Sequence, residues 1–315
     1  MGHIITAENL SLTYPSPMGH RVGVGTAPEG LSFTVSPGEI FGIIGPDGAG
    51  KTTLFRILCS LLKPKRGRAL VAGCDVVKEY RKLRTKIGYM PGVFSLYGDL
   101  TVEENMDFFA ATFGTTIEEN YHLVKDIYSQ IEPFKHRKAK NLSGGMKQKL
   151  ALSCALIHSP EVLFLDEPTT GIDPISRVEL WDMLKKLSSE GVTVVASTAY
   201  MEEAAMCDRL AFMMDGQFVG LDSPLSFTES YPDRLYSVRG GSRIKLLEVL
   251  TAFPGARSVF SFGETFHVST EETVSPGDLS AYLSAAASEA GDLSVTEIKP
   301  TLEDAFLRLN METEA

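Results

Sequence analysis

Ile40-Phe41-Gly42-Ile43-Ile44 runs directly into Gly45-Pro46-Asp47-Gly48-Ala49-Gly50-Lys51-Thr52. The first five residues are continuously apolar, the pattern of a parallel strand buried on both faces. The next eight complete a G-x-x-x-x-G-K-T motif, whose glycines let the backbone curl so that successive N–H groups face phosphate oxygens. Beyond it, Leu54, Ile57, Leu58, Leu61 and Leu62 repeat at helical spacing, which predicts a helix with its positive end aimed at the same anion. In such a loop Lys51 reaches the β- and γ-phosphates, and the Thr52 hydroxyl is a ligand for Mg²⁺.

The flanking sequence predicts an α/β domain around this loop. Upstream, Leu10, Leu12 and Tyr14 share one strand face and Leu31, Phe33 and Val35 another, while Pro15 to Gly30, rich in proline and glycine, reads as an extended loop. Downstream, Thr101 and Glu104 have capping-box spacing and open a mostly helical stretch to about residue 160. Strand, helix, strand then return as Val162 to Leu165, Pro174 to Gly191 and Val192 to Ser197. Leu210 to Met214 and Phe218-Val219 flank an Asp215-Gly216 turn as a hairpin. Residues 222–234 read as a linker, separating a first domain (1–221, helical subdomain about 90–160) from a second (235–315). The second alternates strand, helix, strand, strand, helix, strand, with helices at Ser242 to Ala252 and Asp278 to Ala290, the split pattern of a ferredoxin-like α+β module. A short helix, Thr301 to Leu309, closes it. His267 there reads as a packed or exposed strand residue rather than a ligand.

Composition excludes several function classes. A formal net charge of −10 argues against nucleic acid as a partner, because phosphate backbones are met by basic faces. The basic clusters Lys63 to Arg68 and Arg81 to Lys86 read as solvated turns and helix faces. No apolar run approaches a membrane span, and Met1 to Ile5 lack the pattern of a signal peptide. Cys59, Cys74, Cys154 and Cys207 have no paired spacing, so they read as reduced core thiols of a cytosolic protein rather than a metal or disulfide framework.

Two further motifs carry chemistry. The strand Val162 to Leu165 ends in Asp166-Glu167; there Asp166 can hold Mg²⁺ through water, and Glu167 can take a proton from an attacking water. Leu142-Ser143-Gly144-Gly145-Met146 opens a helix with a hydroxyl and free backbone N–H groups, a second anion site.

Together with Leu163 to Pro168 and Gly171-Ile172-Asp173-Pro174, in this order over residues 4 to about 220, these motifs resemble the ATP-binding cassette (ABC) ATPases. Leu96 to Asn105 and Lys299 to Phe306 look like the subgroup serving multidrug and antibiotic exporters of the ABC-2 type. The resemblance implies a P-loop NTPase cassette with a mixed-sheet core, an antiparallel N-terminal β-subdomain and a helical subdomain, followed by the small C-terminal domain. It implies ATP and Mg²⁺ as cofactors, ABC-2 membrane permease subunits as partners, and a peripheral place on the cytoplasmic face of the inner membrane. It also implies two cassettes paired head to tail, each ATP lying between the loop of one and the Ser143-Gly144-Gly145 signature of the other. Tyr14 would stack on adenine, residues 45–53 including Thr53 would hold the phosphates, and Asp173 would lie in a loop crossing between cassettes.

Two positions depart from the family. Where a glutamine usually follows Met90-Pro91 stands Gly92, and where a histidine usually follows Ser197-Thr198 stands Ala199. Neither side chain can donate a hydrogen bond. Loss of one preorganised donor costs on the order of 10²–10³ in rate, so ATP binding is expected to survive while this chain's own site hydrolyses slowly. The signature is unaltered and serves the partner's site, which favours pairing with a different cassette in an asymmetric exporter. The alternatives are a homodimeric exporter ATPase in which Tyr200, Thr198 or water replaces the donors, a non-hydrolysing regulatory subunit, and a soluble cassette acting on ribosomes or DNA.

Overall fold

In the computed structural model, which describes residues 2–15, 21–286 and 293–314, strand β1 (Ile5–Pro15) pairs antiparallel with β2 (Arg21–Val24) and β3 (Leu31–Val35). The segment 15–30 therefore contains a strand where a loop was expected. Its glycines serve close backbone approach: a Cβ on Gly23 or Gly25 would lie 2.1 or 1.9 Å from the carbonyl oxygens of Leu12 and Leu10. Strand β4 (Ile40–Ile44) is buried at all five positions and leads through the phosphate loop into α1 (Lys51–Leu58). This helix stops before Leu61 and Leu62, which the periodicity had included. Cys59 caps it and Ser60 turns with positive φ, leaving Leu61 half exposed. Leu54, Phe55, Ile57 and Leu58 are fully buried, each contributing roughly 2 kcal/mol, so the phosphate loop is anchored from both sides.

β5 (Arg66–Val71) completes the antiparallel sheet against β1, with β6 (Cys74–Asp75) at its edge. The first basic cluster thus overlaps a strand, where Arg68 pairs with Asp75 at 3.1 Å. After α2 (Tyr80–Arg84) and β7 (Ile87–Met90) come α3 (Val102–Thr112), α4 (Ile117–Tyr128) and α5 (Gly144–Leu156). Capping boxes at Thr101/Glu104 and at Thr116/Glu119 start the first two of these helices. β8 (Val162–Asp166), α6 (Pro174–Ser189), β9 (Thr193–Thr198), α7 (Met201–Ala204), β10 (Arg209–Met214) and β11 (Gln217–Asp222) complete the unit ending at Ser223. The central sheet runs β11-β10-β4-β9-β8-β7, parallel except for the β10–β11 hairpin. The loop after β4 and the ends of β8 and β9 lie at one edge of this sheet, which is where crevices form in such folds.

The second unit starts at Pro224. Its first helix, α8 (Pro224–Glu229), occupies residues expected as linker, so the connection is shorter than its Pro and Ser content implied. β12 (Arg234–Arg239), α9 (Arg243–Thr251), β13 (Ala256–Phe262), β14 (Thr265–Thr270), α10 (Pro276–Ala286) and β15 (Ser294–Ile298) form an antiparallel sheet in the order β13-β14-β12-β15. That is the βαββαβ arrangement. The part of the second expected helix beyond Ala286 lies outside the described residues. α11 (Leu302–Glu314) is longer than its expected span. His267 is a packed residue, its Nδ1 2.8 Å from the buried Asp304 and its ring stacked on Phe262.

Candidate functional site

Gly50 caps α1 in the left-handed region, φ 109°, and Lys51 is the first helical residue. The Lys51 side chain is only 4% exposed. Its ammonium donates to the carbonyls of Gly45 and Pro46 at 2.8 and 3.1 Å and lies 3.3 Å from the Glu167 carboxylate. Tyr14, Gly23, residues 47–53 and Glu167 line a cleft of about 400 Å³ over the loop. No neighbouring atom lies within 4 Å of a Cβ built on Gly48, so space is open there, whereas one on Gly45 would meet Met213 O at 2.1 Å. An ammonium, a curled run of backbone N–H groups and open space beside them fit the polyphosphate of a nucleotide.

The two acids after β8 have different surroundings. Asp166 is 2% exposed, accepts from the Ser197 hydroxyl at 2.7 Å, and enters no ion pair among the described residues. A buried carboxylate with no cation is costly, and this one fits a site completed by a metal ion. No group of three or more His, Cys, Asp or Glu that could hold a metal ion by itself occurs among the described residues. The donor set of Thr52 and Asp166 therefore suits Mg²⁺ held largely by phosphate oxygens and water. Glu167 has φ 52°, a left-handed conformation costing about 1–2 kcal/mol for a residue with a Cβ. Its N–H is held by the Ser197 hydroxyl at 3.0 Å and the Ser197 carbonyl at 3.2 Å. Strain at such a position is a mark of functional sites.

The departures lie beside these groups. A Cβ on Gly92 would be 3.1 Å from the Asp166 carbonyl oxygen and 3.8 Å from Glu167 Cβ. Ala199 is exposed at the end of β9, next to Thr198, whose carbonyl accepts from Gly45 N–H at 3.3 Å. Of the residues considered as substitute donors, Tyr200 has its ring under the Arg177 guanidinium at 4.3 Å, and its N–H donates to the Thr198 hydroxyl at 3.0 Å.

Ser143, Gly144, Gly145 and Asp173 form a second group, away from the cleft lining. Ser143 caps α5 by accepting from Met146 N–H at 3.3 Å, so Gly144 and Gly145 belong to the helix rather than preceding it. A Cβ on Gly144 would come within 2.7 Å of the Gly171 carbonyl, which ties the signature to the loop before α6. Asp173 caps α6, accepting from the N–H groups of Ile175 and Ser176 and from the Ser176 hydroxyl. The Ser176 N–H, then its hydroxyl, hold the Asp173 carboxyl below its usual pKa.

Sequence reasoning missed the groups binding this loop to β9 and α7. Glu203, 1% exposed, accepts from the Thr169 hydroxyl at 2.6 Å and pairs with Arg177 at 3.3 Å. Nothing local in Met201 to Ala204 marks it; an acidic residue in a short helix reads as solvated until the fold buries it. Ser197 could have been found from its place opposite Asp166 in parallel strands.

Comparison with known proteins supplies the context. A profile of the ABC transporter family matches residues 28–170. The chain is 38% identical to the probable multidrug ABC transporter ATP-binding protein YbhF of Escherichia coli K12, over 89% of this chain and 48% of that one. It thus spans about half the length of that relative. It is 35% identical to the Nod factor export ATP-binding protein I of Rhizobium sp. strain N33, over 89% of this chain and 90% of that protein. Among solved structures, the ATP-binding cassette MJ0796 bound to ADP and Pi superposes with TM-score 0.62 at 26% identity, covering 70% of this chain and 98% of that one. No helix among the described residues is long and apolar enough to cross a membrane.

Proposed function

Because the chain belongs to the ABC transporter family of ATP-binding proteins, we propose that it is the Mg-ATP-binding ATPase subunit of a membrane exporter, paired head to tail with a second, different cassette. The observation that carries this reading is the division of the site residues. Lys51 and Glu167 line one cleft, with Asp166 buried behind Glu167, while Ser143, Gly145 and Asp173 are outside its lining, at the starts of α5 and α6. A signature outside the lining of its own phosphate cleft supports a role at a nucleotide held by another cassette.

In this reading Tyr14 stacks on adenine, and residues 45–53 hold the phosphates, with Lys51 leaving Glu167 for the β- and γ-phosphate oxygens. Thr52 and Asp166 hold Mg²⁺, which when bound spreads the charge that develops on the phosphate oxygens. Glu167, freed from Lys51, takes the proton of the attacking water. With no donor at 92 or 199, this step is slow in the chain's own site. Ser143 and Gly145 complete a faster site on the partner, and Asp173 lies in the loop between cassettes.

ABC-2 type permease subunits are the membrane partners, which puts the chain on the cytoplasmic face of the inner membrane. Exposed Val93, Phe94, Tyr97 and Phe108 beside a groove lined by Pro91, Leu96 and Phe109 support such a contact, since contiguous exposed apolar groups mark interaction sites. The residues Leu96 to Asn105 carry the exporter resemblance at the same place. Transport of multidrug or Nod factor type substrates follows from the names of the relatives. Purification of the tagged chain from native membranes, with subunits counted by mass spectrometry, tests the proposal. Recovery of permeases and a second, different cassette is expected; two copies of this chain with permeases would refute the asymmetry.

A further inference from the structure

Ser197 is fully buried at the end of β9, directly opposite Asp166 in the parallel β8–β9 ladder. Its hydroxyl makes two bonds at once. The O–H donates to the Asp166 carboxylate at 2.7 Å, and the same oxygen accepts the backbone N–H of Glu167 at 3.0 Å. One atom thus fixes the side chain of one acid and the backbone of the next, at the residue whose φ is 52°.

The surroundings leave this work to Ser197. Asp166 enters no ion pair among the described residues, and the nearby ionisable groups Tyr89 and Cys59 are uncharged, their pKa values pushed up first by burial. The Lys51 ammonium is held by Gly45, Pro46 and Glu167. The carboxylate is therefore aimed by a single neutral donor. Removing that donor frees Asp166 to rotate, whereas the backbone of Glu167 keeps its bond to the Ser197 carbonyl at 3.2 Å.

We infer that Ser197 is a positioning residue that orients Asp166 toward Mg²⁺ and so sets the metal affinity of the nucleotide site. The inference rests on the nucleotide-site reading above. Outer partners of metal ligands typically govern affinity by 10–100-fold. Ser197 is not itself part of the cleft lining and meets it through the Glu167 N–H, which keeps its bond to the Ser197 carbonyl when the hydroxyl is removed. The hydroxyl should therefore affect Mg²⁺ more than the nucleotide itself.

The test is titration of the chain with a fluorescent N-methylanthraniloyl ATP, in EDTA and across Mg²⁺ concentrations. For Ser197→Ala the half-saturating Mg²⁺ should rise about tenfold or more, while affinity in EDTA stays within about twofold of the parent. Ser197→Cys, of similar volume and a weaker donor, should fall between the two and serves if the alanine variant does not fold. Ser197→Thr, which keeps the hydroxyl, should restore the parent's Mg²⁺ dependence. An unchanged Mg²⁺ dependence in both the alanine and cysteine variants, or an equal loss of affinity in EDTA, would overturn the inference. Failure of the parent itself to bind the nucleotide would instead overturn the site reading on which it rests.

Discussion

Placing a histidine at position 199 should speed ATP hydrolysis by this chain's own site. Residue 199 follows Thr198, whose carbonyl is bonded to Gly45 of the phosphate loop at 3.3 Å, so a side chain there starts one residue from a contact with that loop. Ala199 is exposed, and an imidazole displaces no core atoms. A preorganised donor is worth about 10²–10³ in rate, or roughly 2.7–4 kcal/mol. The donor missing at Gly92 remains missing, and groups that act as a unit are non-additive, so a gain of about tenfold to 10²-fold in kcat is expected for Ala199→His. Phosphate release by the complex with its partner cassette measures it, with Ala199→His/Glu167→Gln as the background. Gly92→Gln alone should gain less, because its Cβ would sit 3.1 Å from the Asp166 carbonyl and must displace that backbone. Turnover unchanged within twofold, with nucleotide affinity retained, would refute the reasoning and mean that another group already supplies the donor.

Arg177→Met leaves the buried Glu203 without its cation, a loss of about 3 kcal/mol, read as a Tm drop of roughly 6–12 °C; Glu203→Gln, which removes the charge as well, should cost clearly less. Gly144→Ala brings a Cβ within 2.7 Å of the Gly171 carbonyl, so ATPase activity of the assembled complex should fall while nucleotide binding by the isolated chain is preserved. His158 is stacked on Phe113 and sits 3.0 Å from the Ile87 carbonyl; burial lowers its pKa, and the carbonyl only partly opposes this. The unfolded chain then takes up the proton first. This contribution to stability is full above about pH 6.5 and is lost as pH falls toward the depressed folded pKa. Thermal melts between pH 7.5 and 5.5 should show that slope, and His158→Gln should flatten it.

The central strand, the phosphate loop and the acids after β8 were legible because their pattern is local: five apolar residues, a glycine-spaced loop, a strand that ends in two carboxylates. β2 was not legible, because Gly23 and Gly25 read as loop formers while their role is close approach to β1. The end of α1 was overrun because Leu61 and Leu62 keep the helical period after Ser60 has broken the backbone. α8 was hidden by the prolines and serines around it. Around the site, Ser197, Thr169, Arg177 and Glu203 carry no motif of their own. They become functional candidates only when parallel pairing sets Ser197 against Asp166 and burial brings Glu203 between Thr169 and Arg177.

The ATPase activity of the assembled complex, measured with Ser143→Ala and with Glu167→Gln introduced separately into this chain, tests the division of labour most directly. If this chain's signature completes the productive site on its partner while its own site is slow, Ser143→Ala should remove most of the activity and Glu167→Gln little of it. Equal losses from the two substitutions would contradict the account.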